Sequence, residues 1–194
     1  MKREAWDAKY AGSEFLWKEE PNRFLVAELD GLAPGRALDI ACGEGRNAVW
    51  LAQQGWDVTG VDFSEVGLAK AARLAESRGV EVEWVTADLL EYVPPPGLDL
   101  AIAFYFQVPD DQRRLVLGRA AEALAPGGTM LVVAHDLLNL SEGIGGPQEP
   151  DVLYSPDDVV GDLAGLEIAR AERVRRPVGE GDAIDALVRA TKPA

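Results

Sequence analysis

Residues 38–47 read LDIACGEGRN, and this short segment decides the fold. It begins as an apolar run, turns at Gly43 and Gly45, and continues into residues 48–52, which favour a helix. Because glycine has no Cβ atom, the backbone there can adopt a positive φ or approach a ligand closely. A helix that follows such a loop points free N–H groups and a positive dipole end at it. The segment therefore predicts a strand, a tight binding loop and a helix start.

Size and charge disfavour several classes of partner. A chain of 194 residues predicts one domain with a full core. Its formal net charge of −14 disfavours nucleic acid and anionic membrane surfaces. Cys42 is the one cysteine, and the chain starts without a cationic and then apolar leader, so we expect a reducing, cytoplasmic location. No apolar run approaches the roughly 20 residues that span a bilayer.

Apolar runs alternate with helical patterns along most of the chain. This alternation is typical of an α/β fold with a largely parallel sheet, and the last two runs predict an antiparallel hairpin. The predicted strands are 37–41, 56–61, 80–87, 98–104, 129–134, 166–174 and 183–190. The predicted helices start near Asn22, Arg46, Ser64, Asp110 and Ser155.

Two segments fall outside this alternation. Residues 1–33 are rich in aromatic side chains and form either a helix packed on the sheet or a lid over a ligand. Residues 136–154 show no clear element and contain several glycines and prolines. A connection of that length is normally functional or disordered. We expect both segments to lie on the substrate side of a single domain, 1–194.

Carboxylates accompany three successive predicted strands. Asp39 lies beside the glycine loop, Asp62 ends the second strand and Asp88 follows the third. In a parallel α/β sheet, ligands bind where the carboxyl ends of the strands meet. A carboxylate can accept both hydrogen bonds of a ribose diol, and Asp88 could accept from an exocyclic amine such as that of adenine. Each aspartate alone would more often cap a turn, but the three together indicate a nucleoside site.

The run Gly43–Ala48 also fits the G-x-G-x-x-G/A pattern of a dinucleotide site. Two observations count against a dinucleotide. Its domain and a substrate domain hardly fit in 194 residues. The acids Asp39, Glu44, Asp62 and Asp88 favour a cofactor with a positive charge over a pyrophosphate. A nicotinamide-dependent oxidoreductase therefore stays as a lesser alternative.

Four motifs together resemble those of class I S-adenosylmethionine-dependent methyltransferases. They are LDIACGEG at 38–45, GVDFS at 60–64, ADL at 87–89 and LAPGG at 124–128. The resemblance covers about residues 22–192, and the chain is most similar to small bacterial methyltransferases of the tellurite-resistance and thiopurine type. It implies a three-layer α/β/α, Rossmann-like fold whose seven-stranded, mostly parallel sheet ends in an antiparallel C-terminal hairpin strand. One departure is Ala41, where the family has its first glycine.

The same resemblance implies roles for individual residues toward the cofactor. Asp62 would hold the ribose hydroxyls and Phe63 would pack on adenine, while Asp88 and Leu89 would meet the adenine amine and ring. Arg46 would pair with the cofactor carboxylate, unless it is an exposed first-turn arginine. The other implied cofactor residues are Asp39, Ala41, Cys42, Gly43, Gly45 and Phe104.

Methyl transfer from a sulfonium depends mainly on orientation, because the leaving group is already activated. A base is needed only if the acceptor arrives protonated. The single histidine, His135, ends the fifth strand and could be a base that Asp136 orients, or else a hydrogen-bonded rim residue. Cys42 is interpreted as a small loop residue rather than a nucleophile. The predicted substrate contacts are Trp6, Tyr10, Trp17, Tyr105, Gln107 and Asn139.

The main hypothesis is in-line methyl transfer from S-adenosylmethionine to a small molecule, with S-adenosylhomocysteine as the product. We expect a monomer or homodimer that uses no metal. A non-catalytic S-adenosylmethionine-binding protein is the alternative from another class. The arginines of segment 170–176 either attract an anionic substrate such as an oxyanion or form a solvated strand edge.

Overall fold

The computed structural model describes residues 3–12 and 14–194, so Met1, Lys2 and Ser13 of the predicted lid lie outside the described residues. The described strands are β1 (Arg36–Ile40), β2 (Asp57–Asp62), β3 (Glu83–Thr86), β4 (Leu98–Phe104), β5 (Leu124–His135), β6 (Glu167–Val178) and β7 (Gly181–Thr191). They form one seven-stranded sheet in the order β3-β2-β1-β4-β5-β7-β6. Strands β1 to β5 pair in parallel, and β7 is antiparallel to β5 and β6. The predicted sheet and its antiparallel C-terminal hairpin are confirmed.

Helices cover both faces of this sheet. They are α1 (Arg3–Tyr10), α2 (Arg23–Glu28), α3 (Arg46–Gln53), α4 (Glu65–Arg78), α5 (Asp110–Ala123), α6 (Asn139–Glu142) and α7 (Pro156–Asp162), with a short 3-10 helix at Pro150–Val152. Of the helices in residues 3–12 and 14–194, none is long and apolar enough to cross a membrane.

An apolar cluster lies on each face of the sheet. One cluster joins α2 and α3 to the face that carries Leu131 and Leu187, which we call the α3 face. The other joins α5 and α7 to the face that carries Val132 and Val188, which we call the α5 face. Helix α4 packs beside α3 through Val49, Leu74 and Ala75. The arrangement is therefore the predicted three-layer α/β/α fold.

The helix starts follow the predicted capping residues. The Asn22 side chain accepts a hydrogen bond from the Phe24 N–H, and the Ser64 side chain accepts one from Gly67. Ser155 and Asp158 form a reciprocal capping box at the start of α7. Each cap satisfies N–H groups that a helix leaves without an intrahelical partner.

Several boundaries differ from prediction. Strand β3 starts at Glu83 rather than at residue 80, because the Val80 N–H donates to Ala75 O and so closes the end of α4. Strand β5 starts at Leu124, since it pairs with Leu98 before a register shift. The expectation of no clear element over 136–154 was wrong, because this segment contains α6 and the 3-10 helix.

The order of the sheet reverses between β1 and β4, which are hydrogen-bonded neighbours. The carboxyl ends of β1, β2, β4 and β5 meet at one edge of the sheet. That edge brings together the glycine loop (residues 41–45), Asp62, Tyr105 and His135. In open α/β sheets the ligand binds at this switch point, so this edge is the candidate site.

Candidate functional site

The glycine loop turns through positive φ angles. Gly43 has φ 55° and Gly45 has φ 79°, and Gly45 lies directly before α3. A Cβ atom on Gly45 would lie 2.6 Å from Ala71 Cβ and 2.7 Å from the Trp84 ring. Ala41, the departure from the family pattern, also has a positive φ of 56°. The loop therefore keeps its left-handed geometry at Ala41 in spite of the missing glycine.

Asp62 ends β2 as a buried carboxylate that receives backbone N–H groups. Its Oδ2 accepts from Gly43 N at 2.9 Å and its Oδ1 from Ser64 N at 2.8 Å. Burial raises the pKa of Asp62, while the backbone donors, including Phe63, act to lower it. The Ser64 hydroxyl donates to Asp7 of α1. The residue predicted to hold a ribose diol is thus fixed against the glycine loop.

Asp39 lies inside β1 with 1% of its surface exposed. Its Oδ2 is buried and has no hydrogen-bond partner among the described residues. Burial raises the pKa of Asp39 to about 8, the nearby charge of Asp62 acts in the same direction, and the Ala48 backbone and Arg46 oppose it. The side chain is therefore mostly protonated at neutral pH, and its buried oxygen is available to a ligand.

Arg46 begins α3 as a partly buried cation. In the part of the chain that the structure describes, its guanidinium has no hydrogen-bonded or ion-paired partner. Burial lowers the pKa of Arg46, while Tyr105 and Asp39 nearby act to raise it. The expectation of an exposed first-turn arginine is not supported. A partly desolvated cation that no acid neutralises directly favours an anionic ligand group at this position.

Glu44 does not contribute its charge to the open site, contrary to the sequence-based expectation. It is buried, and its carboxylate accepts from Leu16 N at 3.0 Å, Trp17 N at 3.1 Å and Lys70 Nζ at 2.9 Å. Lys70 also donates to Glu14 O at 2.6 Å. Glu44 therefore attaches the N-terminal segment to the glycine loop and is neutralised there. Since Asp39 is also mostly protonated, the site is less acidic than the sequence indicates.

The aromatic side chains of the N-terminal segment divide between core and surface. Tyr10 is buried, and its hydroxyl lies 2.8 Å from where a Cβ atom on Gly43 would be. Trp6 stacks on Tyr10 with ring centroids 5.4 Å apart. Trp17 keeps half of its surface exposed. Tyr10 thus fits the packing interpretation, while the lid interpretation stays a prediction.

A second polar cluster lies on the α3 face beyond β4. Asp185 of β7 is fully buried and accepts from Tyr105 Oη at 3.0 Å and from Arg176 Nε at 2.8 Å. His135 Nδ1 lies 3.2 Å from Asp185 Oδ1, in a bent approach. The His135 and Tyr105 rings are 4.9 Å apart. The cluster joins the ends of β4 and β5 to the C-terminal hairpin.

Charge keeps this cluster in defined protonation states. Burial alone would raise the pKa of the Asp185 carboxyl, but the adjacent His135 and the hydrogen-bonded Arg176 outweigh it and lower the pKa. Burial and the charge of Asp185 raise the pKa of the Tyr105 phenol to about 12. The carboxylate therefore stays ionised and the phenol stays a hydrogen-bond donor at neutral pH.

The prediction that Asp136 orients His135 was wrong. Successive strand residues point to opposite faces, so His135 lies on the α3 face and Asp136 on the α5 face. Asp136 instead accepts from Arg173 Nε at 2.9 Å and from Leu138 N at 2.7 Å. Asp185 stands directly opposite His135 in the antiparallel β5–β7 register. The orienting carboxylate therefore comes from the neighbouring strand.

Two predicted substrate contacts are structural instead. The Gln107 amide accepts from His135 N at 2.8 Å and donates to Val152 O. The Asn139 amide is buried, donates to Gly145 O at 2.8 Å and accepts from Ile184 N at 2.7 Å. Both side chains have their polar groups engaged by the backbone. They hold residues 136–154 against the sheet, and we no longer expect them to contact substrate.

The remaining predicted cofactor residues lie around the loop. Phe104 packs in the apolar cluster of the α3 face, and Leu89 packs in that of the α5 face. Both are therefore buried residues of the core. Asp88 accepts from Leu90 N at 2.9 Å in a turn, the capping role considered as its alternative. Burial raises the pKa of the Cys42 thiol well above its usual range, which disfavours a nucleophilic thiolate. Phe63 is half-buried after β2.

The arginines of β6 are mostly engaged by acids. Arg173 pairs with Asp136 and Arg175 lies 3.7 Å from Glu142. Arg170 pairs with Glu28 and Glu172, and Arg176 with Asp185. The expectation that this run attracts an anionic substrate is not supported, and the interpretation as a strand edge describes β6 better.

Sequence reasoning missed four residues that hold the site together. They are Asn22, which donates to Tyr105 Oη at 3.4 Å, together with Lys70, Arg176 and Asp185. Lys70 and Asn22 carry no local signal of a long-range partner. Asp185 lies opposite His135 only through the β5–β7 register, which the predicted β6–β7 hairpin does not specify.

Comparisons with known proteins agree with this geometry. A family model described as "Methyltransferase domain" matches residues 37–128. A demethylmenaquinone methyltransferase of Thermus thermophilus is 41% identical over 126 residues, which cover 63% of this chain and 55% of that protein. The chain spans about half the length of the curated relatives it matches.

Solved structures share the fold over nearly the whole chain. A structure from work on the conversion of a disulfide bond into a thioacetal group during echinomycin biosynthesis has a TM-score of 0.81 at 24% identity, covering 98% of this chain and 91% of that one. The N-methyltransferase NodS of Bradyrhizobium japonicum, in complex with S-adenosyl-L-homocysteine, has a TM-score of 0.77 at 18% identity, covering 99% and 98%. At these identities the likeness supports the fold alone.

Proposed function

We propose that this chain, a class I S-adenosylmethionine-dependent methyltransferase by its motifs, matched domain and fold, transfers a methyl group to a small-molecule acceptor by in-line displacement. The cofactor is S-adenosylmethionine. A cytoplasmic location and a monomeric or homodimeric state remain predictions.

One observation carries the proposal. The glycine loop, the buried Asp62 and the unpartnered guanidinium of Arg46 lie together at the switch point of the sheet. The fit to the cofactor is chemical: Asp62 offers acceptors for two hydroxyl groups, and Arg46 offers a buried charge for a carboxylate. The buried Oδ2 of Asp39, which has no partner among the described residues, adds a further polar group near them. These groups match the ribose and the amino-acid part of the cofactor.

The residues of this chain would act mainly by positioning. When bound, S-adenosylmethionine supplies a methyl group on a positively charged sulfur that leaves as a neutral thioether. Holding acceptor and donor in line can contribute about 7–11 kcal/mol to lowering such a barrier. Asp62 would hold the ribose of the cofactor and Arg46 its carboxylate, with Asp88, Leu89 and Phe63 around its adenine. His135 then faces the acceptor side.

A small acceptor is supported by the cover over the site. Tyr10 lies against the glycine loop, and Glu44 ties residues 16 and 17 to the same loop. We propose that residues 3–12 and 14–20 act as a lid, with Trp6, Tyr10 and Trp17 toward the ligands. A lid excludes water and encloses small ligands. The net charge of −14 also disfavours a nucleic-acid substrate.

Isothermal titration with S-adenosylmethionine and S-adenosylhomocysteine tests the cofactor site. We expect Arg46→Gln to weaken binding by about 10- to 100-fold, the value of a hydrogen bond to a charged group. Asp62→Ala should weaken it at least as much. Arg73→Gln is the matched control, because Arg73 is exposed on α4. No binding by the wild type, or equal affinities for Arg46→Gln and Arg73→Gln, would contradict the proposed site.

Activity separates an enzyme from a binding protein. Purified protein is incubated with S-adenosylmethionine and a panel of thiols, phenols, halides, selenite and tellurite. Formation of S-adenosylhomocysteine that depends on an acceptor supports the proposal. Tight cofactor binding without transfer to any member would favour a non-catalytic binding protein.

A further inference from the structure

The His135–Asp185 contact leads beyond cofactor binding. The Nδ1 atom of His135 is buried and has no hydrogen-bond partner among the described residues. Asp185 Oδ1 lies 3.2 Å away in a bent approach, so it is the acceptor within reach of a proton on Nδ1. Asp185 is ionised and fully buried, so it can only accept. A carboxylate at Nδ1 selects the tautomer that carries its proton there. The lone pair of Nε2 is then free to take a proton.

Neighbouring residues restrict the positions of His135 and Asp185. Arg176 and Tyr105 donate to the same Asp185 carboxylate, and a Cβ atom on Gly146 would lie 3.0 Å from the His135 ring. Tyr105 has a positive φ of 57°, which is rare for a bulky residue. Such strained positions persist where surrounding contacts determine them, and they concentrate at functional sites. With its side chain 14% exposed, His135 retains an opening toward the rim.

We infer that Asp185 is a positioning residue that sets His135 as a general base, and that the acceptor is a protic molecule, with an S–H, O–H or N–H group at its nucleophilic atom. This rests on the proposed function. The acceptor's proton passes to Nε2 of His135, and the electron pair that it leaves forms the bond to the methyl carbon while the carbon–sulfur pair stays on sulfur. The imidazolium then returns its proton to water. Halides and fully ionised oxyanions have no proton for this base to take.

The tautomer of His135 can be read without any substrate. His135 is the only histidine in the chain, so a tag-free, ¹⁵N-labelled sample gives one set of imidazole signals in a long-range ¹H–¹⁵N correlation spectrum. We expect a protonated Nδ1 and an unprotonated Nε2 in the wild type at a pH where the ring is neutral. A wild-type ring protonated at Nε2 would overturn the inference.

Two matched variants assign the effect to Asp185. Asp185→Asn removes the charge and should shift the ring toward the Nε2-protonated form. Asp136→Asn alters the neighbouring acid on the opposite face and should leave the tautomer unchanged. If Asp136→Asn moves the tautomer and Asp185→Asn does not, the assignment is wrong. Should Asp185→Asn fail to fold, the wild-type spectrum still decides.

Kinetics then test the acceptor class. General bases typically contribute 10²–10⁴-fold, so His135→Gln should lower kcat with a protic acceptor by at least about 100-fold while the cofactor Kd is unchanged. Asp185→Asn should lower kcat less and change its pH profile. Transfer to halides or oxyanions alone, or an unaltered kcat in His135→Gln, would overturn this proposal. Loss of cofactor binding would instead contradict the proposed function, so the two failures are distinguishable.

Discussion

At the residue scale, Ala41 after β1 and Tyr105 after β4 hold positive φ angles at adjacent strand ends, although neither is a glycine. Ala41 turns the chain into the glycine loop. Tyr105 aims its phenol at Asp185 through a backbone that is hydrogen-bonded to Val133 O. A left-handed residue with a side chain is strained, so both positions store a small cost beside the site.

Replacing Ala41 with glycine should relieve that cost. We expect the free energy of unfolding of Ala41→Gly to rise by about 1 kcal/mol, because glycine adopts a positive φ without a steric penalty. Urea denaturation measures the change. Ala52→Gly in α3 is the control and should lose about 1 kcal/mol as a helical site. A loss of stability of similar size in both variants would contradict strain at Ala41.

Asp39 should make the stability of the protein without cofactor depend on pH. Burial raises its pKa to about 8 in the folded state, against 3.8 for an ordinary aspartate. Between these values the folded state holds a proton that the unfolded state releases, so the free energy of unfolding falls as pH rises from about 4 to about 8.

Denaturation at about pH 5 and at about pH 8 measures this change in the free energy of unfolding. Between the two pH values, the free energy of unfolding should fall less in Asp39→Asn than in the wild type. Asp57→Asn, at an exposed position of β2, is the control and should keep the wild-type fall. Equal falls in the two variants would show that Asp39 does not titrate in this range.

At the element scale, the N-terminal segment is attached to the sheet by α4 and the glycine loop together. The Glu44–Lys70 pair, with 3% of each side chain exposed, bonds to the backbone of residues 14, 16 and 17. A second pair, Glu19–Arg78, links the same segment to the end of α4 but is largely exposed. The buried pair should dominate, since exposed pairs contribute about 0–1 kcal/mol.

Glu44→Gln should release the lid. Loss of one charge leaves Lys70 buried without a counter-ion, which costs about 3–5 kcal/mol in comparable pairs. Hydrogen–deuterium exchange should show faster exchange of the Leu16 and Trp17 amides. Isothermal titration should show weaker cofactor binding. Glu19→Gln is the matched control and should change neither. Unchanged protection in Glu44→Gln would contradict its role as the attachment of the lid.

At the scale of the whole molecule, the candidate site is assembled from both ends of the chain. The matched methyltransferase domain, residues 37–128, contains the glycine loop and Asp62. The proposed lid precedes it, and the His135–Asp185 pair follows it on β5 and β7. The proposed cofactor site and the proposed acceptor chemistry therefore use different segments of one fold.

Thermodynamic linkage should reveal that separation. A ligand that binds only the folded state, at 100 times its Kd, raises the free energy of unfolding by about 2.7 kcal/mol. We expect this rise with S-adenosylhomocysteine and none with NADH. Asp185→Asn should keep the rise, whereas Arg46→Gln at the same ligand concentration should lose most of it. Stabilisation by NADH alone would favour the oxidoreductase alternative.

The sequence by itself determined what is encoded locally. Apolar runs, the Asn22, Ser64 and Ser155 caps and the glycine loop predicted the order of elements, and parallel winding then placed Asp62 at the edge that forms the site. These features depend on neighbours a few residues apart, so a local pattern carries them.

Only the tertiary structure decided which side chains pair across the sheet. The face alternation and register of β5 and β7 exchanged Asp136 for Asp185 as the partner of His135. Burial, which a local pattern does not reveal, raises the pKa of Asp39 and lowers that of Arg46. The folded chain also pairs Glu44 with Lys70 and with the backbone of residues 16 and 17. The charge and partner of a side chain depend on desolvation and on residues distant in sequence, and both exist only once the chain has folded.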